Sequence, residues 1–265
     1  MYSPVQLGLK FAKYYLTADN GKGHGIHSPF TFDFVVNVLN DNRTFYAYEA
    51  IEKLRLLLMQ NEETLTIEDF GAGSRTGLTK QRKVKDIAAS SLKPKKFAQL
   101  MFRMVDYYQP TSIIELGTSL GITTSYLASA KINSHVTTME GSTAVANVAK
   151  KNFTYLNLKN IDIVEGNFDV TLPSTLQKIT SVDFAFIDGN HLYQPTINYF
   201  QKLLPYIQDE SIVIFDDIHW SKEMEQAWTE IKNHSSVKLS IDLFFIGILF
   251  FKKEFKVKQD FVIRF

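Results

Sequence analysis

Cysteine is absent from this chain of 265 residues. Its absence excludes disulfides, thiolate nucleophiles and cysteine-ligated zinc. It also suits a reducing compartment, so a cytoplasmic location is expected. Internal repeats and low-complexity tracts are missing too. With 45% hydrophobic and 22% charged residues, the composition is neither disordered nor collagen-like. No stretch approaches the roughly 18 uninterrupted apolar residues of a membrane helix. Met1 to Lys13 carries charge within its apolar stretch, so a secretory signal is not expected. Net charge is almost nil, 29 Lys+Arg against 28 Asp+Glu, which argues against a dedicated polyanion binder.

What is present is unevenly placed. Arg75 to Lys96 holds eight basic residues and one acid, whereas Asp183 to Glu230 holds nine acids and two lysines. The basic segment reads as a solvated helix face. Several acids of the second stretch terminate apolar runs, a position solvated faces do not require. Residues 1–60 are aromatic and helical in tone, interrupted by the glycine-rich stretch around His24 and His27, and residues 61–96 hold one short apolar run, a glycine-rich loop and the basic segment. From about residue 97 short β-branched runs alternate with helical stretches: Ser112–Leu116, His135–Met139, Ile161–Glu165, Phe184–Ile187 and Ser211–Phe215. Continuous apolar strands separated by helices predict βαβ units around a parallel sheet. Val237–Ile241 and Phe244–Phe251 follow with almost no linker and predict an antiparallel hairpin. The expected architecture is α/β: a Rossmann-like, mostly parallel seven-stranded sheet with helices on both faces. Residues 1–96 form a mainly helical cap and residues 97–265 the main domain.

Two glycine loops compete as ligand cradles, Asp69 to Gly77 and Glu115 to Gly121. A nucleotide-type site in such a sheet also needs an acid at the end of the next strand, about 20 residues on, to hold ribose hydroxyls. After Gly121 the chain passes through a helix and a strand and reaches Glu140, 19 residues on. After Gly77 the same distance reaches Lys95 and Lys96, so the first loop reads as structural or as a lid. Glu115 then separates two cofactor chemistries. A carboxylate beside a diphosphate is repelled, whereas one beside a cationic or zwitterionic ligand is favoured. This disfavours a nicotinamide cofactor, as does the missing middle glycine, and points to S-adenosylmethionine.

Ile114 to Thr124 resembles the first motif of class I S-adenosylmethionine-dependent methyltransferases, and Glu140 resembles their ribose-binding acid. Val164 to Phe168 looks like the segment flanking adenine. Asp183 to His191 and Ile214 to Trp220 look like the fourth and fifth strand ends. The closest pattern is the catechol and caffeoyl-CoA O-methyltransferase group. That resemblance implies cofactor contacts from Glu115, Gly117, Thr118, Ser119, Gly121, Thr123, Glu140, Gly141, Ser142, Asn167, Phe168 and Asp188. It also implies a divalent cation, Mg²⁺ or Ca²⁺, at Asp188, Asp216 and Asp217, where Asp217 stands in place of the family's common asparagine.

A lysine base of the catechol-type enzymes is replaced here by His191, which can take a hydroxyl proton near neutral pH. With Asp188 it forms the expected catalytic pair, and His219 is an alternative base. Trp220 and Tyr193 could wall the acceptor pocket or simply pack; His24 and His27 read as local structure. The expected activity is O-methylation of a small-molecule acceptor, without membrane or nucleic-acid partners and compatible with a homodimer. Other readings are a catalytically silent cofactor-binding module and a nucleic-acid methyltransferase. The second lacks both a cysteine and an Asn/Asp-Pro-Pro-aromatic motif.

Overall fold

The computed structural model describes residues 1–67 and 81–265. The Asp69–Gly77 loop lies outside them. In chain order the elements begin with helices α1 (Pro4–Thr17), α2 (Pro29–Phe34) and α3 (Tyr46–Leu58), strands β1 (Thr64–Thr66) and β2 (Gln81–Lys83), and helices α4 (Val84–Ser91) and α5 (Lys95–Tyr108). An alternation follows: β3 (Ser112–Leu116), α6 (Ile122–Ala130), β4 (His135–Glu140), α7 (Thr143–Tyr155), β5 (Ile161–Glu165), α8 (Phe168–Leu176), β6 (Val182–Ile187), α9 (Tyr193–Leu203) and β7 (Ile207–Asp216). The chain closes with α10 (Lys222–Asn233), β8 (Leu239–Asp242), β9 (Ile246–Phe250) and β10 (Gln259–Val262).

Eight of these strands make up the mixed, mostly parallel sheet of a Rossmann-like α/β fold. The expected sheet had seven. The eighth is β10, which pairs in parallel with β8, Gln259 opposite Leu239. It escapes sequence reading because it is short and half polar, with Asp260 exposed and none of its residues buried. The C-terminal hairpin is as expected: β8 and β9 pair antiparallel, with Leu239 opposite Phe250. Among the described residues of the first 96, most are helical, with one small antiparallel ribbon of β1 and β2.

The chain divides into two compact units, Met1–Asp41 with Ile179–Phe265, and Asn42–Lys178. In the second, β3, β4 and β5 run parallel in that order. Parallel pairing brings their carboxyl ends to one edge, so the loops after Leu116, Glu140 and Glu165 gather there. Its core joins Leu54 and Leu58 of α3 to Phe102, Tyr126, Val145 and Val148. In the first unit the order is β10-β8-β9-β7-β6. The register sets Ile187 opposite Phe215, which carries Asp188 and Asp216 to adjacent strand ends. A satellite core there packs Tyr14 and Ala18 against Phe244, flanked by Leu7, Phe11 and Phe245.

Candidate functional site

The loop after β3 is built from backbone conformations that most side chains avoid. Gly117 has φ +101°, Ser119 +48° and Gly121 +79°. The N–H groups of Gly117 and Thr118 both donate to the Met139 carbonyl at 3.0 Å, which folds the loop over the end of β4. Gly121 caps α6, and a Cβ there would lie 2.5 Å from Cε1 of Phe153. Glycine is therefore required both by dihedral and by the close approach of α7.

Glu140 ends β4 and ties two loops together. Its Oε2 accepts from the Ser119 N–H at 2.9 Å and its Oε1 from the Ser142 N–H at 3.0 Å. A carboxylate oxygen can accept more than one hydrogen bond, so an anchored carboxylate can also receive a ligand hydroxyl. The Ser119 and Ser142 hydroxyl oxygens are buried with no hydrogen-bond partner among the described residues. Ser142 stands at the N-cap of α7 but makes no side-chain cap. Two idle hydroxyls flanking an anchored carboxylate suit a polyhydroxylated ligand.

Glu115 occupies a different setting. It is fully buried, and its Oε2 accepts from the Thr138 hydroxyl at 2.6 Å and from the Thr124 hydroxyl. Thr138 sits opposite Glu115 in the β3–β4 register and lies 2.6 Å from the Thr118 hydroxyl. Sequence reading misses Thr124 and Thr138, and names Thr123, which is buried in α6. The available signal was a threonine in a strand covered on both faces, because a buried hydroxyl needs a partner. Gly141 follows β4 directly, and Gly166, with φ +126°, precedes Asn167. Asn167 caps α8 by accepting from the Asp169 N–H at 2.8 Å, and Phe168 opens that helix, half-buried.

In the other unit, Asp188, His191 and Asp216 place one ligand atom each within 4.8 Å of one another. Nε2 of His191 is 3.5 Å from Oδ1 of Asp188. Asp216 is 1% exposed. The chain turns back between the first two at Asn190, whose φ is +64° and whose amide donates to the Tyr199 hydroxyl at 3.1 Å. Asp217 is not part of this group. Its own φ of +52° turns the chain, its carbonyl accepts from the Trp220 N–H at 2.9 Å, and it lines a small cavity with His219, Trp220 and Phe244. Tyr193 bonds through its hydroxyl to Glu230. His24 and His27 are exposed.

His219 is held between two carboxylates, with Nδ1 3.0 Å from Glu225 and Nε2 2.8 Å from Asp242. Phe244 stacks on its ring at 5.1 Å. Tyr2 and Lys10 reach the same Glu225 at 2.7 and 2.9 Å, joining α1 to α10. Burial opposes charge on the imidazole, but the hydrogen bonds and charges of Asp242 and then Glu225 outweigh it and raise its pKa above the usual value. Only the imidazolium can donate to both neighbours, so His219 in this network is no proton acceptor. A raised folded pKa stabilises fully below the ordinary histidine range, and that contribution fades as pH rises through the folded value. Glu225, though partly desolvated, is lowered by Tyr2, Lys10 and His219, and its contribution fades as pH falls through its own folded value. His219→Gln is therefore expected to destabilise the protein in urea unfolding at pH 6 and much less at pH 9. An equal loss at both values would contradict the charged assignment.

Residues 114–218 match a family model described as a methyltransferase domain. Among solved structures, the chain resembles a methyltransferase of Podospora anserina bound to S-adenosylhomocysteine (SAH). Identity is 13% and the TM-score 0.59, over 85% of this chain and 97% of that one. It also resembles an O-methyltransferase of Bacillus cereus in complex with SAH, at 16% identity and TM-score 0.56, over 83% and 96%. An O-methyltransferase of tomaymycin synthesis from Streptomyces achromogenes, in complex with S-adenosylmethionine, shares 16% identity and TM-score 0.53 over 62% and 82%. No curated protein matches the sequence. At these identities the likeness to solved structures concerns the fold alone. Residues 114–218 resemble a methyltransferase domain, and the chain shares its fold with the solved methyltransferases.

Proposed function

We propose that the protein transfers the methyl group of S-adenosylmethionine to an oxygen of a small-molecule acceptor, with a divalent cation orienting that oxygen. The observation that carries the cofactor reading is the anchoring of Glu140 by the Ser119 and Ser142 N–H groups beside two unused serine hydroxyls. Glu140 accepts the ribose hydroxyls. The glycine loop Gly117–Gly121 lets a ligand approach backbone, and the first turns of α6 and α7 present unbonded N–H groups. Glu115 works from behind, fixing the loop through Thr124 and Thr138. Asn167 and Phe168 flank the adenine.

The cofactor supplies an electrophilic methyl on a sulfonium: the S–CH₃ bond breaks towards sulfur as the O–CH₃ bond forms, and the acceptor loses a proton. Alignment of the reacting atoms supplies much of the rate. Asp188 and Asp216 fit a divalent cation by donor chemistry, since two close carboxylates, one of them buried, repel unless a positive charge lies between them. Such a cation lowers the pKa of a bound hydroxyl. His191 can take the proton or donate its nitrogen to the cation, but one atom cannot do both.

Turnover of methyl-labelled S-adenosylmethionine with phenolic and other hydroxyl acceptors tests the reaction class. Transfer to oxygen is expected, and EDTA is expected to abolish it while SAH binding persists. Binding of SAH without any transfer would leave a silent module, and transfer surviving chelation would remove the cation.

A further inference from the structure

The two carboxylates assigned to the cation have an imidazole beside them. Among the described residues the close group is Asp188, His191 and Asp216, two carboxylates and one imidazole. Asp217, the neighbour that the O-methyltransferase resemblance would enlist, turns away at φ +52° into the cavity with His219 and Trp220.

We propose that His191 is a ligand of the cation through Nε2, and that the site therefore prefers a transition ion such as Mn²⁺, Co²⁺ or Zn²⁺ over Mg²⁺ or Ca²⁺. The inference rests on the methyltransferase reading above and deepens it. Two donor atoms about 2.1 Å from one ion stand roughly 3 Å apart at right angles and roughly 4.2 Å apart when opposite. The His191–Asp188 distance of 3.5 Å falls between these spacings, and with all three atoms within 4.8 Å of one another a contraction by side-chain rotation would close the shell. By contrast 3.5 Å is long for an N–H···O bond, which argues against a tight aspartate–histidine base pair.

The local backbone supports the same role. Asn190, left-handed and tied to Tyr199 of α9, reverses the chain within three residues so that His191 returns to Asp188. Asp216 comes from the end of β7, held in register between β6 and β9, where it pairs with Ile246. Thus two ligands stand on strand ends and the third on a braced turn.

Donor type then decides the ion. Mg²⁺ and Ca²⁺ seek oxygen ligands, whereas imidazole suits the later divalent metals. Two carboxylates and a neutral imidazole balance a divalent charge and leave coordination positions for the acceptor oxygen. With His191 so engaged, the acceptor hydroxyl, acidified by the cation, would give its proton to solvent water and not to imidazole.

The test uses the full chain, stripped of metal with EDTA and titrated with MnCl₂ while free Mn²⁺ is followed by electron paramagnetic resonance. One Mn²⁺ per chain is expected, with nitrogen coupling in the electron spin echo modulation. His191→Ala should abolish that coupling and weaken Mn²⁺ binding by at least about tenfold. His191→Gln, which keeps an oxygen donor, should lose the coupling while retaining part of the affinity. Co²⁺ and Zn²⁺ should displace Mn²⁺ at concentrations where Mg²⁺ and Ca²⁺ do not. Mn²⁺ bound without nitrogen coupling, coupling that persists in His191→Ala, or no Mn²⁺ binding at all would each overturn the inference. SAH titration of the same samples separates it from the reading beneath. Bound SAH with any of those results defeats only His191 ligation, whereas absence of SAH binding defeats the methyltransferase reading itself.

Discussion

Glu140→Ala is expected to weaken SAH binding by two to three orders of magnitude, measured by isothermal titration calorimetry. The carboxylate makes two charge-assisted hydrogen bonds, to the N–H groups of Ser119 and Ser142, and these hold two separate loops at one strand end. Each such bond contributes about 1.5–3 kcal/mol when made and leaves an unsatisfied donor when removed. Only part of the loss of these two loop bonds reaches the ligand; with a lost bond to its ribose the cost in binding amounts to about 3–4 kcal/mol, or roughly a thousandfold in affinity at the upper end. Glu140→Gln keeps one carbonyl oxygen and presents an NH₂ to the second N–H. It should fall between the wild type and the alanine variant. Ser119→Ala and Ser142→Ala remove hydroxyls that have no partner among the described residues, so their cost should appear in binding and hardly in thermal stability. An affinity unchanged in Glu140→Ala would sink the assignment of this strand end as the cofactor site.

Gly121→Ala carries the largest expected effect on stability, a fall in Tm of about 5–10 °C by differential scanning calorimetry. Two independent penalties act at this residue. Its φ of +79° lies in the left-handed region, which costs roughly 1–2 kcal/mol for a residue with a Cβ. A methyl group would also lie 2.5 Å from Cε1 and 2.8 Å from Cζ of the Phe153 ring, and 3.3 Å from Cβ of Ala149. Forcing extra volume into packed structure costs about 1–3 kcal/mol. For a protein of this size each kcal/mol moves Tm by about 2–4 °C. The two penalties separate in a double mutant. Phe153→Leu removes the ring atoms in the way, so Gly121→Ala should be less damaging in that background, by the packing share alone. If Gly121→Ala leaves Tm unchanged yet weakens SAH binding, the glycine serves ligand approach and not packing.

Much of the parallel sheet can be read directly from the chain. The runs Ser112–Leu116 and Ile161–Glu165 coincide with β3 and β5, and the helix expected after Gly121 is α6. Buried parallel strands must be continuously apolar, and the helices between them must not be, so local composition alone marks both. Strand β7 starts four residues earlier than its apolar run, at Ile207, because its first residues pair beside β6 across a register shift near Val182 and not through an apolar pattern. Strand β10 shows the limit of such reading, since polar residues at a sheet edge pair through backbone groups common to every sequence.

The candidate site divides along the same line. Glycines at 117 and 121 and an acid at 140 are legible because spacing along the chain maps onto the ends of neighbouring parallel strands. Which groups those acids meet is not legible. Glu115 meets Thr138 because β3 and β4 pair in one register of several that the apolar pattern alone would allow. His219, alike in sequence to a free base, has its pKa raised because Asp242 of β8 and Glu225 of α10 face its two ring nitrogens. Asp217 leaves its neighbour Asp216, and His191 joins it, because single left-handed residues at 217 and 190 reverse the chain. The sequence by itself determined the alternation of strand and helix, the chemistry of the strand ends and the class of cofactor they suit, since these depend on residue type and on periods of two and 3.6. The tertiary structure decided which carboxylate is buried, which imidazole lies between two carboxylates and which three side chains come within 4.8 Å of one another. Those outcomes depend on register and turn geometry, which distant backbone pairing sets.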